Sequence, residues 1–139
     1  MGNPRALVVD DEADIRELLT ITLQRMNIDV STAPDLNSAI SRLRHNNFEL
    51  CLTDMKLPDG DGLSLVEWIQ SHRPTIPVAV ITAHGNVESA VRALKLGAFD
   101  FISKPLDLAA LRKLITATLK LADQFESTGV LPKVRLLGQ

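Results

Sequence analysis

Only one cysteine stands in the 139 residues, so no disulfide can close within the chain, and such thiol usage fits a reducing cytosol. Cys51 lies inside an apolar run, where the expected role is that of a small buried hydrophobe. Long hydrophobic runs are also missing. The longest, such as residues 78–81, fall far short of the roughly 20 residues that a membrane-crossing helix needs. Nor is there a large charge of one sign. The 17 acids nearly balance 15 Lys and Arg, and a net charge of −2 leaves the chain as a whole without a nucleic-acid footprint. Residues 1–20 hold Asp10, Asp11, Glu12, Asp14 and Glu17 and so cannot act as a secretory signal. No internal repeat or low-complexity tract is present.

Hydrophobic residues are plentiful, at 45%, which supports a core and argues against global disorder. The length fits one domain with a short extension, at roughly 150 residues per domain. Five short apolar runs, at residues 6–9, 30–33, 50–53, 77–81 and 100–103, alternate with amphipathic stretches. The first is continuous and β-branched, as expected of a strand covered on both faces. Ile15, Leu18, Leu19, Thr22, Leu23 and Met26 recur at helical spacing, with Asp11 near the start and Asn27 near the end. Asp35 can cap a second helix that buries Leu36, Ala39, Ile40 and Leu43. Residues 57–62 are dense in turn formers, and Leu65, Val66 and Ile69 mark a third helix. A fourth runs from about Asn86 to Leu96 and is closed by Gly97. The last starts near Leu108 and continues toward Phe125. This (βα)5 pattern predicts an α/β fold: a doubly wound, parallel, five-stranded sheet of flavodoxin-like strand order 2-1-3-4-5. Residues 1–121 are expected to form that domain, and residues 122–139 a helical extension and linker.

The polar residues gather at the ends of these runs. Asp10 and Asp11 follow the first, Asp54 ends the third, Thr82 the fourth and Lys104 the fifth. In a doubly wound sheet these positions share the carboxyl edge, where such folds bind ligands. At an effective dielectric of 20, two carboxylates 4–5 Å apart repel by about 3–4 kcal/mol. Lys104 can neutralise one charge, and a hard divalent ion such as Mg²⁺, held by oxygen ligands, is the natural second answer. The same set suits phosphoryl chemistry. A carboxylate can serve as the nucleophile, while cations neutralise the oxygens of the transferring group. The hydroxyl of Thr82 could donate to a phosphoryl oxygen.

Each residue also has a plain reading. Asp54 could be a turn residue, Asp10 and Asp11 a helix cap, and Thr82 a structural hydroxyl. Phe101 and Trp68 could be simple packing, and His84 an exposed loop residue. Their joint position at successive strand ends is what sets the first three apart. Asp59-Gly60-Asp61-Gly62 lacks the alternate ligands of a calcium loop, and its glycines are wrongly placed for a phosphate-cradling loop.

Val9-Asp10-Asp11-Glu12, Asp54 followed by Leu57-Pro58 and Asp61-Gly62, Ile81-Thr82-Ala83 and Lys104-Pro105 together resemble the CheY-like receiver family of two-component response regulators, over residues 5–121. The resemblance implies that Asp54 is the phosphoacceptor. It makes Asp11 a direct Mg²⁺ ligand, Asp10 one acting largely through water, and the backbone carbonyl of Lys56 the third protein ligand. Thr82 becomes the switch hydroxyl, Phe101 the switch aromatic and Lys104 the phosphoryl-binding lysine. The Lys104-Pro105 bond is expected to be cis. Lys56 and His84 are expected to tune the phosphoryl lifetime.

The implied partner is a sensor histidine kinase, in the cytoplasm. The implied role is regulatory, catalysing only its own phosphorylation and dephosphorylation. A homodimer is expected, through the last helix or the face of the fourth helix and fifth strand. Residues 82–86 and 97–105 resemble NtrC-like receivers, which precede an AAA+ ATPase domain for sigma-54 transcription and a DNA-binding domain. Residues 134–139 resemble the start of that ATPase domain. DNA, ATP and sigma-54 polymerase would then be met through those further domains. Two rival functions compete with this one. An aspartyl-phosphate phosphohydrolase of the haloacid-dehalogenase type needs a second acid two residues after the nucleophile, where this chain has Lys56. A dimerising pseudo-receiver is expected to have lost the acids, the Thr or the Lys, and none is lost here.

Overall fold

In the computed structural model the elements follow in chain order as β1 (Arg5–Val9), α1 (Ala13–Gln24), β2 (Asp29–Ala33), α2 (Leu36–His45), β3 (Leu50–Asp54), β4 (Lys56–Leu57), β5 (Gly60–Asp61), α3 (Gly62–His72), β6 (Val78–Thr82), α4 (Val87–Leu96), β7 (Asp100–Ser103) and α5 (Leu108–Thr128). The structure describes residues 2–83 and 85–128, with side chains as far as residue 120. The chain divides into two units, Met1–Leu106 and Asp107–Gln139.

The first unit holds one parallel sheet, in the order β2-β1-β3-β6-β7. This is the expected 2-1-3-4-5 order, because a short hairpin takes the labels β4 and β5. The three central strands are buried on both faces because both faces are covered. Leu7, Val9, Cys51, Val78 and Val80 pack with Ala39 and Leu43 of α2, Leu65, Val66 and Ile69 of α3, and Ala93 of α4. The alternate residues Ala6, Val8, Leu50, Leu52, Ala79 and Ile81 are equally buried, and α1 contributes Leu19 and Leu23. Burial pushes the Cys51 thiol up to about 12, so it stays protonated and inert in the core. In the second unit, Leu111 and Ile115 stand one turn apart on α5 and are buried. The expected continuation of that stripe to Ala122 and Phe125, and the extension at 122–139, lie outside the described side chains. Among the described residues no helix is long and apolar enough to cross a membrane.

Helix ends largely follow the local signals. Asp35 accepts the Ser38 amide (2.8 Å) and Asn86 the Ser89 amide (2.7 Å), each capping its helix. Gly97 closes α4 at φ 117°, a left-handed conformation that suits glycine. Two expectations change. The first helix is not capped by Asp11; the N-cap position falls on Glu12, which makes no side-chain cap bond. Asp10 instead accepts the Glu12 amide at 2.9 Å, which ties the start of α1 to the end of β1. Residues 57–62 are more than a turn-rich loop. Lys56 pairs with Asp61 and Leu57 with Gly60 across the Pro58-Asp59 turn, in antiparallel register.

Candidate functional site

Strand register brings the polar ends level. Val9 lies opposite Ala33 and Thr53, Asp54 opposite Ile81, and Thr82 opposite Ser103. Asp10, one residue past β1, is 2% exposed, Asp54 is 7% exposed and Thr82 is 1% exposed. Carboxylate oxygens of Asp10, Asp11 and Asp54 lie within 4.8 Å of one another, with Asp11 on the solvent side. Lys104 reaches into this group from the end of β7. Its Nζ is 3.0 Å from Asp10 Oδ2, 3.5 Å from Asp54 Oδ2 and 3.8 Å from Glu12 Oε2. Its backbone amide donates to the Thr82 carbonyl (2.9 Å), and the Lys104-Pro105 bond that follows is cis.

Backbone bonds fix the acids. The Asp10 amide donates to the Ala33 carbonyl of the neighbouring strand (3.1 Å), and Arg16 Nη1 donates to the Asp10 carbonyl (2.7 Å). The amides of Met55 and Lys56 lie close enough to the Asp54 carboxylate to favour its charged form. The Met55 amide also lies 3.0 Å from the Ile81 carbonyl. Gly62 closes over the backbone of Asp54: a Cβ there would stand 2.0 Å from the Asp54 carbonyl oxygen. No other residue fits without moving β3 or the hairpin, and the Gly62 amide donates to the Met55 carbonyl at 2.6 Å.

The electrostatics are lopsided. Burial pushes the Asp54 carboxyl up from its ordinary value, and the charge of Asp10 adds to this. Lys104 and the two amides oppose the rise without cancelling it. Burial pulls the Lys104 ammonium down, but the hydrogen bond and charge of Asp10, with the charges of Asp54 and Glu12, outweigh it and hold its pKa above the ordinary value. Among the described ion pairs, Lys104 thus serves two of the three clustered carboxylates, Asp10 and Asp54, and the flanking Glu12. Every acidic donor in the cluster is a carboxylate oxygen, a set that fits a hard ion such as Mg²⁺ or Ca²⁺ and not a soft one.

Asp10, Asp11, Asp54 and Lys104 therefore stand together, and Thr82 ends the neighbouring strand β6, its carbonyl accepting the Lys104 amide. Lys56 has an exposed side chain on β4, beside the site. Phe101 is half-buried on β7 and packs against the core. Its ring edge and the Thr82 methyl both crowd Gly85, where a Cβ would meet Phe101 Cε1 at 2.6 Å and Thr82 Cγ2 at 3.1 Å. His84 lies outside the described residues. Glu12 and the Met55 amide are site neighbours that the motif does not name; for Glu12 the one signal in the sequence is its place directly after the acid pair.

The response regulator receiver domain family matches residues 6–116. The chain is 50% identical over 139 residues to response regulator protein PilR of Pseudomonas aeruginosa, covering all of this chain and 31% of that protein. It is 37% identical over 101 residues to DNA-binding transcriptional regulator NtrC of Proteus hauseri, covering 73% of this chain and 21% of that one. The chain thus spans a third or less of the length of these curated relatives. Among solved structures, a CheY-like response regulator receiver domain protein from Methanospirillum hungatei superposes with a TM-score of 0.85 at 28% identity, covering 88% of this chain and 98% of that chain.

Proposed function

This chain belongs to the response regulator receiver domain family, and we propose that it accepts a phosphoryl group from a histidine kinase onto Asp54 and passes the change to an output domain. One observation carries this reading: the three carboxylates within 4.8 Å of one another, with Lys104 Nζ 3.0 Å from Asp10 and 3.5 Å from Asp54. An Asp54 carboxylate oxygen attacks the phosphorus of the kinase's phosphohistidine. A P–O bond forms, the P–N bond breaks, and its electron pair leaves with the imidazole. The nearby Met55 and Lys56 amides favour the charged, nucleophilic form of Asp54. Lys104 turns from its present carboxylate partners toward the arriving phosphoryl oxygens, and the Thr82 hydroxyl donates to another.

Asp10, Asp11 and Asp54, with the backbone carbonyl of Lys56, would hold Mg²⁺. When bound, it neutralises charge on the transferring group. Asp11→Ala removes the most solvent-facing of these carboxylates without emptying the core. Its Mg²⁺ affinity by calorimetry is expected to fall by about tenfold or more; undiminished affinity would remove Asp11 from the ligand set. Lys56 and His84 are expected to tune the lifetime of the phosphorylated state. The receiver domain is assigned to residues 1–121 and the extension to 122–139. Similarity to the DNA-binding transcriptional regulator NtrC supports a transcription-regulating output domain; that this domain is of the sigma-54 type, that the protein is cytoplasmic, and that it dimerises through α5 or the α4–β7 face are further parts of the proposal. The direct test is intact mass after acetyl phosphate and Mg²⁺, set against the same treatment of Asp54→Asn.

A further inference from the structure

The hairpin that follows Asp54 is fastened to a helix that contributes nothing else to the site. Asp59, in the turn between β4 and β5, accepts the Leu36 amide at Oδ1 (2.7 Å) and the Asn37 amide at Oδ2 (2.9 Å). These are the first two residues of α2, 23 and 22 positions away. Amides at a helix start have no partner within the helix, and the positive end of the helix favours a carboxylate. The Asn37 and Leu36 amides accordingly hold the Asp59 carboxyl below its ordinary value. Gly60 presses on the same place: a Cβ there would stand 2.7 Å from Leu36 Cδ2. Yet α2 already has its own cap, since Asp35 accepts the Ser38 amide. The helix therefore does not depend on Asp59 alone, and the contact matters more to the hairpin.

At its other end the hairpin touches Asp54. Gly62, which follows the hairpin, lies against the Asp54 backbone; Lys56 pairs with Asp61, and its amide favours the charged form of the Asp54 carboxyl. An isolated pair of such short strands is marginal in water. Two fastenings hold this one: Gly62 against Met55 at its root, and Asp59 on α2 at its tip. The segment before α2 also reaches the other side of the site, because the Ala33 carbonyl accepts the Asp10 amide.

We propose that Asp59 is a positioning residue: clamped on the Leu36 and Asn37 amides, it holds the hairpin so that Lys56 stays against Asp54. Its consequence for phosphorylation rests on the reading of Asp54 as acceptor. Asp35 provides the control, because Asp35→Ala removes a carboxylate from the same helix end without touching the hairpin. Thermal unfolding of the full chain first checks that Asp59→Ala and Asp35→Ala both fold. Amide exchange at Lys56 and Asp61, read by NMR without metal or phosphoryl donor, is expected to be about tenfold faster in Asp59→Ala and unchanged in Asp35→Ala. Mg²⁺ affinity and the initial rate with acetyl phosphate are expected to fall about tenfold in Asp59→Ala and to stay within about twofold in Asp35→Ala. Asp59→Asn, which keeps one acceptor oxygen, recovers part of each loss. Unchanged exchange and rate in Asp59→Ala overturn the proposal, as do equal losses in Asp35→Ala, which would trace the effect to the stability of α2. A wild type that takes up no phosphoryl group defeats the acceptor reading, and the exchange comparison then decides the clamp by itself.

Discussion

Treated with acetyl phosphate and Mg²⁺, the chain is expected to gain one phosphoryl mass and Asp54→Asn none. The amide side chain has no nucleophilic carboxylate oxygen, and no neighbour is placed to replace it. Asp10 is committed at both oxygens, to the Glu12 amide and to Lys104. Asp11 faces solvent without a lysine contact of its own among the described ion pairs. Labelling of the variant elsewhere at a comparable rate would sink the assignment. The same variant has a second expected result. The folded-state pKa of Asp54 lies above its ordinary value, so the fold favours its protonated form. Stability from this group is present below the unfolded pKa and is lost as pH rises through the folded one. Above that window the ionised Asp54 strains the metal-free protein. At neutral pH without metal, Asp54→Asn should unfold at a higher temperature than the wild type, read by thermal unfolding. Added Mg²⁺ should narrow the gap by stabilising the wild type alone. Asp59 has the opposite sign: its depressed pKa gives stability above the unfolded value that is lost as pH falls through the folded one.

The strand ends were legible because each β-branched run stops at a polar residue, and parallel register then levels Asp10, Asp54, Thr82 and Lys104 by geometry alone. Helix caps were legible where one residue decides them, as at Asp35, Asn86 and Gly97. Asp11 misled because it matches a helix-start signal, whereas the Asp10 side chain takes the Glu12 amide and leaves Asp11 facing solvent. Pro58-Asp59-Gly60 reads as a turn from its residue types. That the turn closes a paired hairpin depends on Gly62 lying against the Asp54 backbone, and that Asp59 reaches α2 depends on a contact 23 residues distant. Local periodicity carries neither. The crowding of Gly85 by Phe101 is likewise a meeting of two strand ends and a loop, invisible until the sheet is assembled.

That crowding frames the other large expected effect. A phosphoryl group adds about −1.5 to −2 charge and three acceptor oxygens beside Asp54. In the proposed switch Thr82 and Lys104 are the donors that answer it, and they are joined through the Lys104 amide, which donates to the Thr82 carbonyl. Moving a two-state equilibrium from 1:99 to 99:1 needs about 5.5 kcal/mol of differential interaction. Charge-assisted hydrogen bonds of about 1.5–3 kcal/mol each supply much of that. When the Thr82 hydroxyl turns toward the phosphoryl group, its methyl moves relative to Gly85 and the Phe101 ring. Phe101 has no hydroxyl, so packing alone sets its position. Thr82→Ala should therefore still take a phosphoryl group at Asp54 but lose most of the response beyond it. With beryllofluoride as the phosphoryl mimic, amide NMR shifts across residues 86–103 should be large in the wild type and small in Thr82→Ala. Equal shifts in the two proteins would show that the hydroxyl does not transmit the signal. Gly85→Ala probes the same joint from the packing side. Its added Cβ would overlap Phe101 Cε1, now 2.6 Å from that position, so the ring must turn before any phosphoryl mimic is added. Its resting spectrum over residues 86–103 should already be displaced, and a resting spectrum identical to wild type there would show that Phe101 yields without passing the change to α4.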